Sequence, residues 1–228
     1  MSADALVRCD GVARTFGSGP RATVALQPLS CRVDPHARIA LMGSSGSGKS
    51  TLLHLMAGLD DPTLGEVTWP AIGDRSALRP GPLAMVFQGP SLLPPLTVVE
   101  NVALPLTLGG TPAAEARLLA IAALDRLGLA DLADKLPEEI SGGQAQRVAV
   151  ARALAGEPRL ILADEPTGQL DRASGAAVMD VLIAAADHSG AALVVTTHDP
   201  TVADRLPERW EMSDGRLTTL ATTTSRGS

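Results

Sequence analysis

A glycine- and serine-rich loop between a predicted strand and a predicted helix most constrains how this chain can fold. The loop is GSSGSGKS, from Gly43 to Ser50, and it fits the pattern G-x-x-x-x-G-K-[ST]. RIALM at 38–42 predicts a short buried strand before it, and LLHLMAG at 52–58 predicts a helix after it that ends at Gly58. Successive backbone N–H groups of such a loop bind anions, and the helix N-terminus adds favourable potential. The pattern therefore predicts a site for nucleotide phosphates.

The residue types of this loop have separate predicted roles. The glycines give backbone freedom, Lys49 reaches the β- and γ-phosphates of ATP, and the Ser50 hydroxyl binds Mg²⁺. Lys49 and Lys135 are the only lysines of the chain, which argues against a chance match. The alternative is a turn that binds no ligand. The predicted ATP-binding residues of the loop are Gly43, Ser44, Ser45, Gly46, Ser47, Gly48, Lys49, Ser50 and Thr51.

Two carboxylates follow a second apolar strand. Residues 160–163 are all apolar and lead into Asp164 and Glu165, which is typical of a buried parallel strand. Ligands of open α/β sheets lie beyond the carboxyl ends of the strands. We therefore expect Asp164 to hold Mg²⁺ and Glu165 to act as the general base on the attacking water. Without the phosphate loop, a solvated turn would be the better interpretation.

The motif SGGQ at 141–144, followed by AQRVAVARAL and then LILADEPTG, resembles the ATP-binding cassette (ABC) family. The signature of that family is usually LSGGQ, and here Ile140 takes its first position. The resemblance implies a dimer that holds two ATP molecules between its subunits. The residues implied to bind the γ-phosphate held by the second copy are Ser141, Gly142, Gly143 and Gln144. The helix expected after the signature would place them at its N-terminus, where anions bind favourably.

The resemblance assigns roles to three further side chains. Gln88, after LAMVF, is implied to sense Mg²⁺ and the attacking water, and Asp171 in GQLD is implied to cross the dimer interface to the ATP site of the other copy. His198, after LVVTT, is implied to contact the γ-phosphate, although a histidine without this context is usually structural or solvated. Gln169 stands where asparagine or serine is more usual. The expected catalytic residues are Glu165, His198, Gln88 and Lys49, and the expected Mg²⁺ ligands are Ser50, Gln88 and Asp164.

Phe16 is the predicted contact of the adenine base. The chain has no tyrosine and only two each of phenylalanine and tryptophan, so few side chains could stack on a base. Stacking on an aromatic ring contributes about 1–3 kcal/mol per base in nucleic-acid complexes. The alternative is an ordinary aromatic of the core or of a strand end.

Composition limits the remaining classes of protein. A net charge of −6 argues against broad nucleic-acid binding, so no nucleic-acid partner is expected. Cys9 and Cys31 lack metal or redox spacing and are expected to be reduced structural cysteines. The sequence shows neither a signal peptide pattern nor an apolar run long enough to span a membrane. We therefore expect any membrane contact to come through a partner.

The resemblance implies an α/β P-loop NTPase fold of the ABC ATPase type, with a mostly parallel core sheet, an N-terminal antiparallel β subdomain and an inserted helical subdomain. The expected organisation is one domain over 1–220, with a core at about 1–89 and 157–220, a helical subdomain at about 90–156 and a flexible tail at 221–228. Residues 3–34 predict short strands and turns. Further strands are expected at 65–69 and 83–87, helices at 111–128 and 172–187, and a hairpin around 214–215.

The segment 88–105 contains a Leu- and Pro-rich cluster. In the family, the cleft beside this segment receives a helix of a membrane-embedded partner, and apolar patches often mark such contacts. The alternative is that Leu92, Leu93, Val98 and Val102 fill the junction between the lobes. The resemblance is strongest to the branch that drives macrolide export and lipoprotein release, with the cell-division ATPase close behind.

Together these features predict an ATPase subunit on the cytoplasmic face of the cell membrane, which dimerises on ATP and drives a separate permease. Two alternatives remain open. One is a mechanical subunit that signals through a membrane partner to envelope enzymes. The other is a soluble ABC ATPase of DNA repair or translation, which usually carries coiled-coil insertions, zinc modules or fused cassettes.

Overall fold

The computed structural model describes residues 4–89 and 91–220, which form two β-sheets and several helices. A three-stranded antiparallel sheet has the order β2-β1-β4, and a six-stranded sheet has the order β5-β6-β7-β3-β8-β9. This arrangement confirms the predicted α/β fold class. The strands are β1 Val7–Phe16, β2 Thr23–Val33, β3 Arg38–Met42, β4 Leu64–Thr68, β5 Leu83–Val86, β6 Leu160–Asp164, β7 Ala192–Thr197, β8 Glu208–Ser213 and β9 Arg216–Leu220.

The six-stranded sheet is parallel except for β9, which pairs antiparallel with β8. Strands β6 and β7 are apolar along nearly their whole length, and every residue of both is buried. Such continuous burial is expected when helices or a second layer cover both faces of a parallel sheet. The carboxyl ends of β3, β5, β6 and β7 consequently meet at one edge of the sheet, where the loops after them come together.

Six α-helices complete the described part of the chain: α1 Lys49–Met56, α2 Val98–Leu108, α3 Ala113–Asp125, α4 Gly142–Leu154, α5 Arg172–Ser189 and α6 Pro200–Ala203. Helices α2, α3 and α4 enclose a hydrophobic core of their own, separate from the two cores around the sheets. This helical lobe lies between β5 and β6 in the sequence. The predicted domain boundaries at about 90 and 156 are compatible with this order and stay a prediction. No helix within 4–89 or 91–220 is long and apolar enough to cross a membrane.

The N-terminal strands are longer than expected. The sequence predicts short strands and turns, but β1 has 10 residues and β2 has 11. Gly11 has a positive φ, yet it lies at an irregularity within β1 and not in a turn between two strands. Gly11 separates register pairs with β2 at Cys9 and Val12, and a bulge of this kind bends a strand without ending it. Cys9 faces Cys31 across the two strands, and both thiols are free.

Several boundaries differ from the predicted ones. Helix α1 begins at Lys49 instead of 52 and ends before Gly58, whose φ of 63° is typical of the residue after a helix C-cap. Helix α3 occupies only the middle of the predicted 111–128 segment, and α5 continues two residues beyond the predicted end at 187. The hairpin between β8 and β9 turns at Asp214 and Gly215 as expected, with positive φ at both residues.

The segment 88–105 contains the start of a helix that the sequence reasoning missed. Val98 and Val102 on α2 are fully buried in the core of the helical lobe, so they do not belong to an exposed patch. Leu92 packs against the same core, whereas Leu93 is exposed. The apolar character of this segment thus serves mainly the interior of the lobe. The predicted tail at 221–228 lies outside the described residues.

Candidate functional site

The phosphate-binding pattern forms a tight loop between β3 and α1. Gly43 has φ 156° and Gly48 has φ 107°, a region that other residues rarely adopt. A Cβ atom at Gly43 would overlap the carbonyl oxygen of Met212, and one at Gly48 would lie 2.6 Å from the carbonyl oxygen of Ala25. Glycine is therefore required at both positions by backbone angle and by space.

Lys49, the first residue of α1, is held inside the concavity of this loop. Its side chain is only 4% exposed. Its Nζ atom donates hydrogen bonds to the carbonyl oxygens of Gly43 at 2.9 Å and Ser44 at 3.0 Å, and lies 3.4 Å from Oε1 of Glu165. The structure therefore joins the lysine of the first motif to the carboxylate at the end of β6. Its predicted contact with ATP phosphates stays a prediction.

Asp164 connects three elements at the edge of the sheet. Ser50 Oγ donates to Asp164 Oδ1 at 3.0 Å, and Thr196 Oγ1 donates to the same oxygen at 2.6 Å. Thr196 Oγ1 also accepts a hydrogen bond from the backbone N–H of Glu165 at 2.8 Å. Sequence reasoning missed Thr196, which is fully buried on β7 directly beside Asp164 in the strand register. The sequence signal for this contact was the pair Thr196-Thr197, two polar residues at the end of an otherwise apolar strand.

Glu165 combines an unusual backbone angle with two basic neighbours. Its φ of 41° is unusual for a residue with a side chain, and such strained angles cluster at functional sites. Oε2 of Glu165 lies 3.0 Å from Nδ1 of His198. The glutamate is 17% exposed and the histidine 64% exposed, so the imidazole stands on the solvent side of the carboxylate. Glu165 thus links the phosphate loop, through Lys49, with the residue after β7.

Gln88 lies next to Glu165 because their strands are neighbours. Val86 at the end of β5 pairs with Ala163 of β6. Gln88 follows Val86 by two positions, and Glu165 follows Ala163 by two positions. A Cβ atom placed on Gly168 would lie 3.5 Å from Nε2 of Gln88 and 3.4 Å from Oε2 of Glu165, so both side chains approach the same point. The structure therefore brings Lys49, Ser50, Gln88, Asp164, Glu165 and His198 together, and we call these six residues the phosphate-loop cluster.

The signature residues lie at the start of α4. Ser141 is the N-cap: its Oγ accepts from Gln144 N at 3.2 Å, and Gln144 Oε1 accepts from Ser141 N at 2.9 Å. This capping box leaves Ser141 and Gly142 exposed. Among residues 4–89 and 91–220, no side-chain hydrogen bond joins 141–144 to the phosphate-loop cluster. Within the described residues, the two predicted parts of the ATP site are therefore not linked by side-chain hydrogen bonds.

Asp171 is the N-cap of α5. Its carboxylate accepts hydrogen bonds from Ala173 N and Ser174 N, both at 3.0 Å, and from Ser174 Oγ at 2.6 Å. The side-chain hydrogen bond from Ser174 and the backbone bonds lower the pKa of Asp171, so the residue is ionised at neutral pH. Ser174 also lies near Gly143, which places the cap formed by Asp171 and Ser174 beside the signature.

Phe16 ends β1 with its ring 43% exposed. The guanidinium carbon of Arg14 lies 4.5 Å from the ring centroid, a cation–π contact that the sequence did not indicate. Arg14 is itself held by an ion pair with Asp60 at 2.7 Å. The ring is therefore oriented by Arg14 and remains accessible, and its contact with adenine stays a prediction.

The sequence of this chain is similar to sequences of known ABC transporter proteins. The sequence model of the ABC transporter family matches residues 26–168. The ATP-binding protein LolD of the lipoprotein-releasing system of Pseudomonas fluorescens is 40% identical over 228 aligned residues, which cover 96% of this chain and 100% of that protein.

Solved structures are similar over almost the whole chain. The dimeric ATP-binding cassette MJ0796, in a post-hydrolysis state with ADP and phosphate, is 36% identical with a TM-score of 0.83, over 94% of this chain and 98% of that one. A second dimeric structure of MJ0796, described as a bacterial ABC transporter cassette, has a TM-score of 0.84 at the same identity and coverage. CbiO1 of Clostridium perfringens, part of the ABC transporter complex cbiONQ, is 25% identical with a TM-score of 0.80, over 96% of this chain and 89% of that one. The chain therefore belongs to the ABC transporter family and is an ATP-hydrolysing nucleotide-binding cassette.

Proposed function

We propose that this chain is the ATPase subunit of a transporter of the lipoprotein-release type, which acts on the cytoplasmic face of the membrane through a permease partner. The observation that carries the proposal is the 40% identity to LolD over 96% of this chain and the whole of that protein. An alignment that covers nearly the whole of both chains supports a shared function in addition to shared chemistry.

The phosphate loop binds ATP in this proposal. Residues 43–51 surround the β- and γ-phosphates, and the Lys49 ammonium exchanges the carbonyl oxygens of Gly43 and Ser44 for phosphate oxygens. Because this lysine is already buried and oriented, little side-chain entropy is lost when the phosphates bind. The exposed ring of Phe16 stacks on the adenine base.

The oxygen atoms beside the phosphate loop are suitable ligands for Mg²⁺. Ser50 Oγ and Asp164 Oδ1 are 3.0 Å apart, and Gln88 contributes an amide oxygen. Hydroxyl, carboxylate and amide oxygens are hard ligands of the kind that Mg²⁺ takes in phosphoryl-transfer sites. When bound, the ion neutralises charge on the β- and γ-phosphate oxygens. Thr196 keeps the Asp164 carboxylate fixed by its hydrogen bond.

Glu165 is the proposed general base. It is mostly buried, and its carboxylate is placed by His198 on one side and Lys49 on the other. A fixed carboxylate at this position can orient a water molecule for attack on the γ-phosphate and accept its proton. Gln88 orients the same water, and His198 binds the γ-phosphate.

A second copy completes the site. Within the described residues, no side-chain hydrogen bond joins Ser141–Gln144 or Asp171 to the phosphate-loop cluster. Exposed backbone N–H groups at the start of α4 can bind a γ-phosphate held by another copy. The dimeric MJ0796 cassettes, similar over 94% of this chain, support this arrangement. ATP binding then joins two copies, and hydrolysis separates them.

A groove between β5 and the helical lobe is the proposed contact for the permease. It measures about 680 Å³ and has a mostly apolar lining, which includes the exposed side chains of Leu59, Phe87 and Leu108. It flanks the predicted contact segment 88–105. Exposed apolar side chains gathered in one groove favour a protein contact.

Two arginines give this groove a positive charge. Arg79 donates to the carbonyl oxygen of Ala57, and Arg152 donates to Ser91 O at 2.7 Å. Burial lowers the pKa of both arginines, and Arg75 adds to the effect at Arg79. Within the described residues neither has a carboxylate within ion-pair distance. We therefore expect the partner segment to combine apolar side chains with at least one carboxylate.

Affinity capture of the Glu165→Gln protein with ATP and Mg²⁺, from detergent-solubilised membranes of its own cells, tests the proposal. We expect a membrane protein with several spans to co-purify. Leu108→Glu in the groove should reduce its recovery, whereas Leu118→Glu, at a similarly exposed position on α3, should not. Recovery of soluble nucleic-acid-binding factors alone would contradict the transporter function.

A further inference from the structure

A buried glutamine on α4 contacts both segments that carry proposed catalytic side chains. Gln146 is 2% exposed. Its Nε2 atom donates to the carbonyl oxygen of Phe87 at 3.0 Å and to that of Pro166 at 3.3 Å. Phe87 directly precedes Gln88, and Pro166 directly follows Glu165. One side-chain amide thus holds the peptide groups adjacent to both residues.

The position of Gln146 on α4 connects this contact with the signature. Ser141 caps the helix five residues earlier, a distance of about 7.5 Å along the axis. Val148 and Ala151 of the same helix are buried in the helical lobe, whereas Val150 packs in the core around the parallel sheet. Because α4 is fixed in both cores, a displacement of its signature end also displaces Gln146.

The side-chain amide of Gln146 is paired through its nitrogen only. Both partners are carbonyl oxygens, so the NH₂ group must face them, and the orientation of the amide is fixed by its environment. The Oε1 atom is buried and has no hydrogen-bond partner in the described part of the chain. An unsatisfied buried acceptor destabilises a fold, so the two hydrogen bonds of Nε2 are made at the cost of one unpaired oxygen.

We propose that Gln146 is a positioning residue that couples the signature helix to Gln88 and Glu165. It does not contact the nucleotide. Its two hydrogen bonds set the spacing between the loop after β5 and the loop after β6, so that both catalytic side chains respond when a second copy engages the signature. The inference rests on the roles proposed above for Gln88 and Glu165.

The test is the steady-state ATPase activity of the Gln146→Met protein. Methionine keeps the volume but removes both donors, so we expect the turnover number to fall at least about tenfold, because small displacements of catalytic groups are costly. The KM for ATP should stay within about twofold, since Lys49 and its loop are unchanged. The thermal midpoint should fall about as far as in the control variant below, because the carbonyl oxygens of Phe87 and Pro166 lose their donor. A turnover number within twofold of the wild type would overturn the inference.

The control variant is Trp69→Phe. It also removes a buried donor to a backbone carbonyl, here the 2.8 Å hydrogen bond from Trp69 Nε1 to Met56 O, outside the catalytic loops. We expect a lower thermal midpoint and an unchanged turnover number. If Gln146→Met loses thermal midpoint as Trp69→Phe does and likewise keeps the wild-type turnover number, Gln146 has only a structural role.

Gln146→Glu decides the question even if the methionine variant does not fold. A neutral carboxyl group can donate one hydrogen bond to the two carbonyls, whereas the ionised form cannot. We expect its activity relative to the wild type to be higher at pH 6 than at pH 8. Dividing by the wild-type activity at each pH removes the pH dependence that the two proteins share. A ratio that does not depend on pH would contradict the inference. Loss of the proposed base role is a separate outcome, revealed by wild-type turnover in Glu165→Gln.

Discussion

Replacing Glu165 with glutamine is expected to lower the turnover number for ATP about 10²- to 10⁴-fold, the range that a general base contributes. Glutamine has nearly the same shape, so the contact with His198 at 3.0 Å can be kept while the charge beside Lys49 is lost. ATP should remain bound, because the phosphate loop is unchanged. Steady-state phosphate release and the equilibrium affinity for ATP measure the two effects separately.

Glu66→Gln is the matched control for this experiment, since Glu66 is an exposed residue of β4 in the antiparallel sheet. Its turnover number should equal that of the wild type. Wild-type ATPase activity in the Glu165→Gln protein would refute the assignment of the base and leave the positive φ of Glu165 without a catalytic explanation.

Lys49→Ala is expected to abolish tight nucleotide binding. The ammonium is 4% exposed, and removing one member of a buried charge pair costs about 2–5 kcal/mol, or about 30- to 4000-fold in Kd. The fold should persist, because within residues 4–89 and 91–220 the Lys49 side chain bonds only to its own loop and to Glu165. Equilibrium titration with a fluorescent ATP analogue gives the affinity.

Lys135→Ala is the matched control for this variant, because Lys135 is the only other lysine of the chain. Lys135 lies in the helical lobe, so the Lys135→Ala protein should bind ATP as the wild type does. Unchanged affinity in Lys49→Ala would remove the basis for the phosphate loop as the nucleotide site.

The elements around the phosphate loop could be predicted well because their signals are local. Strand β3 has the predicted bounds 38–42, and Gly58 ends the helix region after the loop. The hairpin at Asp214-Gly215 needs two positive φ angles, which an Asp-Gly pair provides.

Other features could not be derived because they depend on tertiary contacts or on an ambiguous pattern. Helix α2 contains Pro105, which argues against a helix, although Thr97 and Glu100 form a capping box that marks its start. The contact between Thr196 and Asp164 depends on the register of β6 and β7, which no single strand encodes. Gln146 is hidden for the same reason, because its partners lie 59 and 20 residues away.

Sedimentation velocity of the Glu165→Gln protein with Mg²⁺ and ATP shows whether a second copy completes the catalytic site. We expect a change from the 23.4 kDa monomer to a species of about twice that mass when ATP is added. Adding Ser141→Arg to the same protein should prevent this change, because the larger side chain blocks the exposed start of α4. A protein that binds ATP to saturation and stays monomeric would contradict the account.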